Sequence, residues 1–217
     1  MEDEKIKTKV LRPRFDSDLD IIELSKENIE DENLFSFGTV SNCTLENCDA
    51  DRVAFKQVIF NKVIFNKITF RRIEMVDVRF KNCDLSNVDF NEASIHRVEF
   101  DNCKIIGINL NEATLRDVIF ENCNGEFAFF SYSNCKQVAF LKCQLRSSDF
   151  QNSKLLKVEF KESNLLQAQM NFTSLKGIDF TSCDIEGMGV NIADVKGARV
   201  TALQAVSLSA ILGLIIK

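Results

Sequence analysis

The chain has 217 residues and a net charge of −5, with 27 Lys and Arg residues against 32 Asp and Glu residues. The acidic excess lies within residues 1–34, because residues 35–217 carry twenty-one charges of each sign. This balance argues against a strongly basic nucleic-acid-binding protein and against a uniformly acidic one.

Residues 1–38 form the first predicted unit, an N-terminal arm that lies outside the repeat described below and is expected to cap it. Its opening, MEDEKIKTK, has no apolar stretch and so does not resemble a secretory signal. The most apolar run of the chain, LSAILGLIIK, is far shorter than the ~20 residues of a membrane-spanning helix. We therefore expect a cytoplasmic protein with no membrane contact, whose eight cysteines stay reduced.

Residues 39–200 repeat with a period of five residues. Every fifth position from Val40 to Val200 is apolar except Gly125, and most of the nineteen phenylalanines lie there. The position two residues earlier is Cys, Val, Ile, Ala, Ser, Thr or Met throughout, apart from Gly38, and the other three positions are mostly polar. This period fits neither an α-helix nor an ordinary β-strand.

A chain that points two of every five residues inward must turn about a quarter circle with each unit. Four units then close one coil of twenty residues, which explains why NEASIHRVEFDNC (91–103) is followed by NEATLRDVIFENC (111–123). We predict an all-β, four-sided solenoid of about eight coils over residues 39–200, with a cap at each open end.

Like residues are expected to stack in internal columns, at about 4.8 Å from one coil to the next. One column contains Phe60, Phe80, Phe100, Phe120, Phe140, Phe160 and Phe180, which places the rings within the range of offset stacking. Another contains Cys43, Cys83, Cys103, Cys123, Cys143 and Cys183. These cysteines lack the CxxC or histidine spacing of metal sites, so we interpret them as small core residues.

No catalytic motif is apparent. His96, the one histidine, falls at an outward position, and the chain has neither a nucleophile elbow nor a glycine-rich phosphate loop. We therefore predict a protein that is not an enzyme and uses no metal or other cofactor.

Two adjoining outward faces carry opposite charge. One face has an excess of basic residues: Lys56, Arg97, Arg116, Lys136, Lys154, Lys157, Lys176 and Lys196. The other is acidic, and we select Asp89, Glu92, Glu112 and Asp149 as candidate partner contacts. Each stripe is either an ordinary solvated face or a surface that orients the protein on a charged partner.

The stretch GEFAFFSYSNC (125–135) places Phe127, Phe129 and Tyr132 at outward positions. Phe172 lies two coils further on, in the same slot as Tyr132. Clustered outward aromatic residues indicate a contact surface. The alternative is that the N-terminal arm folds back and covers them.

Residues 201–217 form the third predicted unit, which caps the solenoid and joins two copies. TALQ (201–204) predicts a capping box that opens a helix, Gly213 suits the position after its end, and LIIK (214–217) is compatible with a final strand. The apolar residues of this unit exceed what one coil end can cover, which favours a homodimer over a simple cap. They are Leu203, Val206, Ile211, Leu212, Leu214, Ile215 and Ile216.

The segment CDLSNVDFNEASIHRVEF (83–100) resembles the A-(D/N)-L-x-x signature of the pentapeptide-repeat family, and the resemblance covers residues 40–200. It implies a right-handed, four-sided β-helix. The C-terminal VKGARVTALQAVSLSAILGLIIK (195–217) is similar to the tail of the Qnr quinolone-resistance proteins, particularly the Gram-positive chromosomal type, in which a helix and a strand join two rods tail to tail.

The Qnr resemblance implies a non-catalytic rod that binds DNA gyrase or topoisomerase IV by imitating duplex DNA, and so shields the enzyme from fluoroquinolones without binding nucleic acid itself. Loops that interrupt the coils of plasmid-borne members have no counterpart here, so imitation would depend on the acidic face. One alternative is a scaffold that binds another protein through the outward aromatic residues. Another is a nucleic-acid-binding protein that uses the lysine-rich face.

Overall fold

The computed structural model describes residues 9–16 and 19–214 of the chain. These residues contain ten strands: β1 (Asp20–Ile21), β2 (Leu34–Ser41), β3 (Thr44–Glu46), β4 (Ala54–Asn61), β5 (Ile64–Asn66), β6 (Glu74–Lys81), β7 (Ser94–Asp101), β8 (Thr114–Glu121), β9 (Asn134–Leu141) and β10 (Lys154–Lys161). One helix, α1 (Ala202–Leu208), follows the last coil, and 3₁₀ turns occur at Lys26–Asn28 and Ser209–Leu212. None of the described helices is long and apolar enough to cross a membrane.

The strands stack in parallel, one coil above the next. Strands β1, β2, β4 and β6 to β10 form one eight-stranded sheet, and β3 pairs with β5 in a second sheet. From β2 onward the partners lie twenty residues apart, as Val78 with Val98 and Phe80 with Phe100. Isolated parallel bridges such as Asp89–Asn109 join the coils elsewhere. The all-β solenoid predicted from the five-residue period is therefore confirmed.

Each coil presents four faces that we name by their residues and by the equivalents of those residues in the other coils. Face A contains residues 58–62, face B 63–67, face C 68–72 and face D 73–77. The eight-residue strands run across faces D and A, and from Glu32 to Gly177 the last residue of each face adopts a positive φ, as Asp77 (57°) and Glu92 (59°) do. This left-handed residue turns the chain from one face to the next, which accounts for the five-residue period.

The phenylalanine column predicted on face A is present in the core. The rings of Phe60, Phe80, Phe100, Phe120 and Phe140 follow each other at centroid distances of 4.7–4.8 Å and tilts of 3–7°. From Cys83 onward, the cysteines of face B donate across coils to the backbone of this column, with Cys123 Sγ 3.3 Å from the Phe100 carbonyl oxygen. Burial raises the pKa of the Cys135 thiol to about 11, so that thiol stays protonated and apolar in character at neutral pH.

Both glycines that interrupt the pattern lie where neighbouring side chains fill the space. A Cβ on Gly38 would lie 2.3 Å from the side chain of Ile22, which folds over the first coil from the arm. A Cβ on Gly125 would lie 3.1–3.3 Å from the side chains of Leu145 and Ile105 in the coils on either side. The core therefore stays filled at both positions without a large residue.

The C-terminal helix opens with the predicted capping box. Thr201 Oγ1 accepts a hydrogen bond from the Gln204 amide at 3.2 Å, and Gln204 Oε1 accepts one from the Thr201 amide at 2.8 Å. Gln204 Nε2 also donates to the carbonyl oxygens of Phe180 and Cys183, both at 2.8 Å, which ties the helix to the last coil. Gly213 adopts the left-handed conformation (φ 73°). The strand predicted for residues 214–217 falls largely outside the described residues.

The N-terminal arm makes two kinds of contact. Strand β1 pairs with β2 and extends the sheet at the first coil, at Asp20–Gly38 and Ile21–Thr39. Residues 9–16 run lengthwise along the corner where face D meets face A, reaching from Gln57 at one end to Gln137 at the other.

Candidate partner-binding face

Seven of the eight candidate contact residues lie together on face C. Glu92, Glu112, Tyr132 and Phe172 occupy one column at the corner between faces C and D, whereas Asp89, Phe129 and Asp149 occupy a second column on the same face. Phe127 lies at the preceding corner, between faces B and C. The structure thus joins the acidic and the aromatic candidates, which the sequence suggested separately, into one acidic–aromatic face (residues 88–172 of face C).

The four aromatic side chains are exposed. Solvent reaches 54% of Phe127, 43% of Phe129, 64% of Tyr132 and 70% of Phe172. The described segment of the arm at residues 9–16 lies along the corner between faces D and A instead. The described part of the N-terminal arm therefore does not cover these aromatic residues, and residues 1–8, 17 and 18 of the arm lie outside the described residues.

Three of these aromatic residues occupy backbone positions that disfavour bulky side chains. Phe127, Tyr132 and Phe172 have φ values of 58°, 59° and 62°, in the left-handed region that Gly and Asn adopt most readily. The equivalent residue between Tyr132 and Phe172 is Asn152, also at a positive φ. An exposed ring in a strained backbone conformation does not stabilise the fold. The presence of three such rings therefore indicates a role in binding a partner.

The electrostatics of the acidic–aromatic face change along the rod. In the first coils Arg52, Arg71 and Arg72 pair with Glu32, Asp89 and Asp51. From residue 88 onward face C contains four carboxylates and no lysine or arginine. Within the described residues, no cation forms an ion pair with Glu92, Glu112 or Asp149, whereas Asp89 also accepts a hydrogen bond from Asn109 at 2.8 Å.

Comparison with known proteins identifies the family. A family model described as "Pentapeptide repeat region" matches residues 53–109, 73–145 and 93–170, together more than half of the chain. The chain belongs to the pentapeptide-repeat family. No match was found among curated proteins.

Several solved structures of repeat proteins are similar to this chain. Trypsin-treated QnrB1, described as a plasmid-mediated fluoroquinolone resistance protein, is 26% identical, with a TM-score of 0.43 over 87% of this chain and 95% of that one. Full-length QnrB1 is 22% identical, with a TM-score of 0.42 over 85% and 96%. HetL, involved in the regulation of heterocyst differentiation in the cyanobacterium Nostoc, is 14% identical, with a TM-score of 0.34 over 77% and 89%.

The exposed apolar surface of this pentapeptide-repeat protein extends beyond the residues selected from sequence. Ile192, two residues past a core position, continues the column of Tyr132 and Phe172 and is 59% exposed. Outward positions occupied by aliphatic residues are a signal that the sequence offered, since the repeat marks these positions as polar. Leu156 on face D and Ile64 on face B are further examples, 54% and 49% exposed.

The candidate dimerisation residues divide by exposure. Leu203, Val206, Leu212 and Leu214 are 80%, 50%, 56% and 57% exposed, whereas Ile211 packs against the end of the core. Ile215 and Ile216 lie outside the described residues. The exposed group forms an apolar surface at the C-terminal end of the rod.

The basic face is partly neutralised by carboxylates. Arg97 is bonded to Asp77, and Arg116 lies 3.8 Å from Asp117, whereas the lysines of this face form no ion pair with any described residue. His96 lies among the same groups, and burial together with Arg97 and Arg116 lowers its pKa. Among the described residues, no group of three or more His, Cys, Asp or Glu side chains is arranged to hold a metal ion.

Proposed function

We propose that this chain is a non-catalytic cytoplasmic rod that binds a type II topoisomerase, DNA gyrase or topoisomerase IV, in place of duplex DNA and so protects it from fluoroquinolones. The observation that carries the proposal is the run of carboxylates on the acidic–aromatic face, without a lysine or arginine from residue 88 onward. Because the pentapeptide-repeat fold by itself does not determine function, the choice of topoisomerase depends on the resemblance of residues 195–217 to the Qnr tail.

The spacing of these carboxylates supports the comparison with DNA. Asp89 and Asp149 are separated by three coils, or ~14 Å at ~4.8 Å per coil. Four carboxylates that span this length have an average spacing of about 5 Å along the rod, comparable to the about 3.4 Å of helix axis per phosphate of one DNA strand. A protein surface that contacts one DNA strand would therefore meet a similar density of negative charge here.

The aromatic residues give the same face a second means of attachment. Buried aromatic side chains commonly dominate the free energy of protein association, whereas charges at the rim mainly set orientation and rate. Phe129 and Tyr132 lie between Glu112 and Asp149 along the rod, so a partner that meets the carboxylates also meets the rings.

Gyrase supercoiling in the presence of ciprofloxacin tests the proposal. Purified protein at micromolar concentration should restore supercoiling that the drug inhibits, and the triple variant Glu92→Gln, Glu112→Gln, Asp149→Asn should require at least about tenfold more protein, as expected for three lost charge contacts. A triple variant of face D, with Lys154, Lys176 and Lys196 each changed to Gln, is the matched control. Unchanged drug sensitivity at every concentration of the wild-type protein would rule the proposal out.

The second candidate function is a scaffold for a different protein, bound through the aromatic residues. The strained, exposed conformations of Phe127 and Tyr132 favour it, since they mark a contact surface independently of charge. Changing Phe127, Phe129 and Tyr132 to Ser should abolish binding of such a partner, with the solenoid still folded. This function gains support if wild-type protein fails to bind gyrase or topoisomerase IV yet binds another purified protein in a way that the Ser variant loses.

We also propose that two rods join through the C-terminal end. The exposed apolar surface of Leu203, Val206, Leu212 and Leu214 is of the kind that a two-fold contact buries. Light scattering should show a dimer for the wild-type chain and a monomer for the Leu203→Glu, Leu212→Glu variant. A variant that stays dimeric would show that this surface serves another purpose.

A further inference from the structure

Residues 9–16 form a strap that is held on the rod mainly through its backbone. The Leu11 amide donates to Asp117 Oδ1 at 3.0 Å and the Arg14 amide donates to Asp77 Oδ1 at 3.0 Å. The Asp16 amide donates to Gln57 Oε1 at 2.9 Å, and the Lys9 carbonyl oxygen accepts from Gln137 Nε2 at 3.0 Å. An extended segment thus crosses five coils in the direction opposite to their order in the chain.

The column of side chains beneath the strap matches its hydrogen-bonding groups. Positions 57, 77 and 117 have carboxylate or amide oxygens, each of which accepts a hydrogen bond from a backbone amide of the strap. Position 137 has a side-chain amide, which donates to a backbone carbonyl of the strap. The coil between Asp77 and Asp117 carries Arg97 at the equivalent position, and an arginine side chain has no acceptor atom for a strap amide. Since Leu11 is bonded to Asp117 and Arg14 to Asp77, residues 12 and 13 lie over this coil. Proline has no amide to donate, so Pro13 suits this place.

Two side chains of the strap add specific contacts. Arg12 forms an ion pair with Glu99, a carboxylate that is 3% exposed and also accepts from Arg79 Nε at 2.8 Å, and Arg12 Nη2 lies 3.7 Å from Glu121 Oε2. The ring of Phe15 lies 5.3 Å from the guanidinium carbon of Arg79, within cation–π distance. The strap therefore presents an Arg-Pro-Arg-Phe sequence, of which Arg12 and Phe15 are bound by side chain.

The core of this part of the rod lies inside the coils rather than under the strap. The inward residues of this part of the rod, such as Val78, Val98 and Phe100, lie within the closed coils and are 0% exposed. The outward residues buried along this corner are of two kinds: the carboxylates Asp77, Glu99 and Asp117, at 6%, 3% and 2% exposure, and the apolar Ile119 and Ala139, at 5% and 4%. Burying three carboxylates is unfavourable unless each is paired, so this corner recognises hydrogen-bond donors as well as covering apolar surface.

We infer that the corner between faces D and A is a recognition groove for an extended, arginine-bearing peptide segment, and that residues 9–16 are its intramolecular occupant. The partner that fits is an unstructured segment of another protein, and this segment contains an arginine immediately followed by a proline. While the strap is bound, its effective concentration of about millimolar excludes weaker competitors. Its displacement exposes three carboxylates on a part of the rod that does not overlap the acidic–aromatic face.

Two matched full-length variants test whether the strap is held by recognition. Arg12→Glu places a carboxylate against Glu99 and Glu121, whereas Arg14→Glu makes the same change of charge at an exposed side chain and keeps the amide that Asp77 accepts. Hydrogen exchange of residues 9–16 should be slow in the wild-type chain and in Arg14→Glu, and at least about tenfold faster in Arg12→Glu, a factor that corresponds to about 1.4 kcal/mol. Equal exchange in all three chains would overturn the inference.

Binding of a free peptide then tests the groove itself. A fluorescent peptide with the sequence of residues 9–16 should bind the Arg12→Glu chain saturably and the wild-type chain at least tenfold more weakly, because only the wild-type groove is filled. The same peptide carrying Glu in place of Arg12 should bind neither. Circular dichroism confirms that the variant keeps its β-structure, and the Leu11→Pro variant, which lacks the amide donated to Asp117, repeats the experiment without a change of charge. Absence of binding to both variant chains, or equal binding to wild type and variants, would contradict a peptide groove.

Discussion

Arg97 donates two hydrogen bonds to Asp77 of the preceding coil, from Nε to Oδ1 at 2.7 Å and from Nη2 to Oδ2 at 2.6 Å. The pair lies at the corner between faces D and A, where Asp77 is buried and also accepts a hydrogen bond from the backbone amide of Arg14. A bidentate arginine–carboxylate pair fixes both side chains more firmly than a single contact. Here it links two coils at a left-handed backbone position, where the chain changes face.

The Asp77–Arg97 pair predicts a loss of stability in acid. Burial acts to raise the pKa of Asp77, but the hydrogen bonds from Arg97 and the Arg14 amide outweigh it and hold this pKa below its usual value. A carboxyl whose pKa is lower when folded stabilises the protein above its unfolded pKa of about 3.9 and loses that contribution as pH falls through the folded value. Urea unfolding should therefore show stability falling below about pH 4, partly through this group.

The Asp77→Asn variant isolates that contribution. It should be less stable than the wild type at pH 7 by ~1–3 kcal/mol, because a charged hydrogen-bond acceptor is lost, and the difference should shrink as pH falls below 4. Asp49→Asn, at an exposed position, is the control. A difference between wild type and Asp77→Asn that is constant with pH would show that ionisation of Asp77 does not stabilise the fold.

The contact between Gly38 and Ile22 predicts a compensating pair of substitutions. Gly38→Val would restore the repeat residue but push the Ile22 side chain off the first coil, because a Cβ there lies 2.3 Å from it. We expect Gly38→Val to lower the melting temperature by several degrees, as typically accompanies a loss of 1–2 kcal/mol from overpacking. Adding Ile22→Ala should recover part of the loss. If the double variant is less stable than Gly38→Val, the explanation is wrong.

The repeat could be predicted from sequence because each five-residue unit repeats the same physical requirement. Phe80 and Phe100 are in phase, and phase alone determines that they stack. The placement of the strap could not be predicted, because it depends on single matches such as the Leu11 amide with Asp117, which have no period. The candidate contact residues fell between these cases. Their outward positions can be predicted from the five-residue period. That Glu112 and Tyr132 share one column follows only when the twenty-residue period is applied to the outward residues as well as to the core.

The contacts of Gln204 predict that one side chain couples the C-terminal helix to the solenoid. Gln204→Glu keeps the acceptor of the capping box but replaces the Nε2 donor with an oxygen that faces the Phe180 and Cys183 carbonyls. The loss of two hydrogen bonds and this repulsion should cost ~1–3 kcal/mol. Hydrogen exchange should become faster in residues 180–208 and stay unchanged in residues 74–121. Faster exchange throughout the chain would instead indicate that the rod unfolds as one unit.

The aromatic residues in left-handed conformations predict a conflict between stability and function. Tyr132→Asn and Phe172→Asn replace strained, exposed rings with the residue that the same column already has at Asn152, so each should leave stability unchanged or raise it by about 0.5–1 kcal/mol. Each should also weaken partner binding by about 1 kcal/mol or more, or roughly fivefold, if the ring is buried in the complex. Thermal unfolding and a binding titration with gyrase measure the two effects on the same samples. Asn152→Tyr is the reverse control and should lower stability without improving binding, since it adds strain at a site where the chain has no ring. Variants that lose stability when Tyr132 or Phe172 is removed would show that these rings serve the fold, and the assignment of the acidic–aromatic face as a contact surface would then depend on its carboxylates alone.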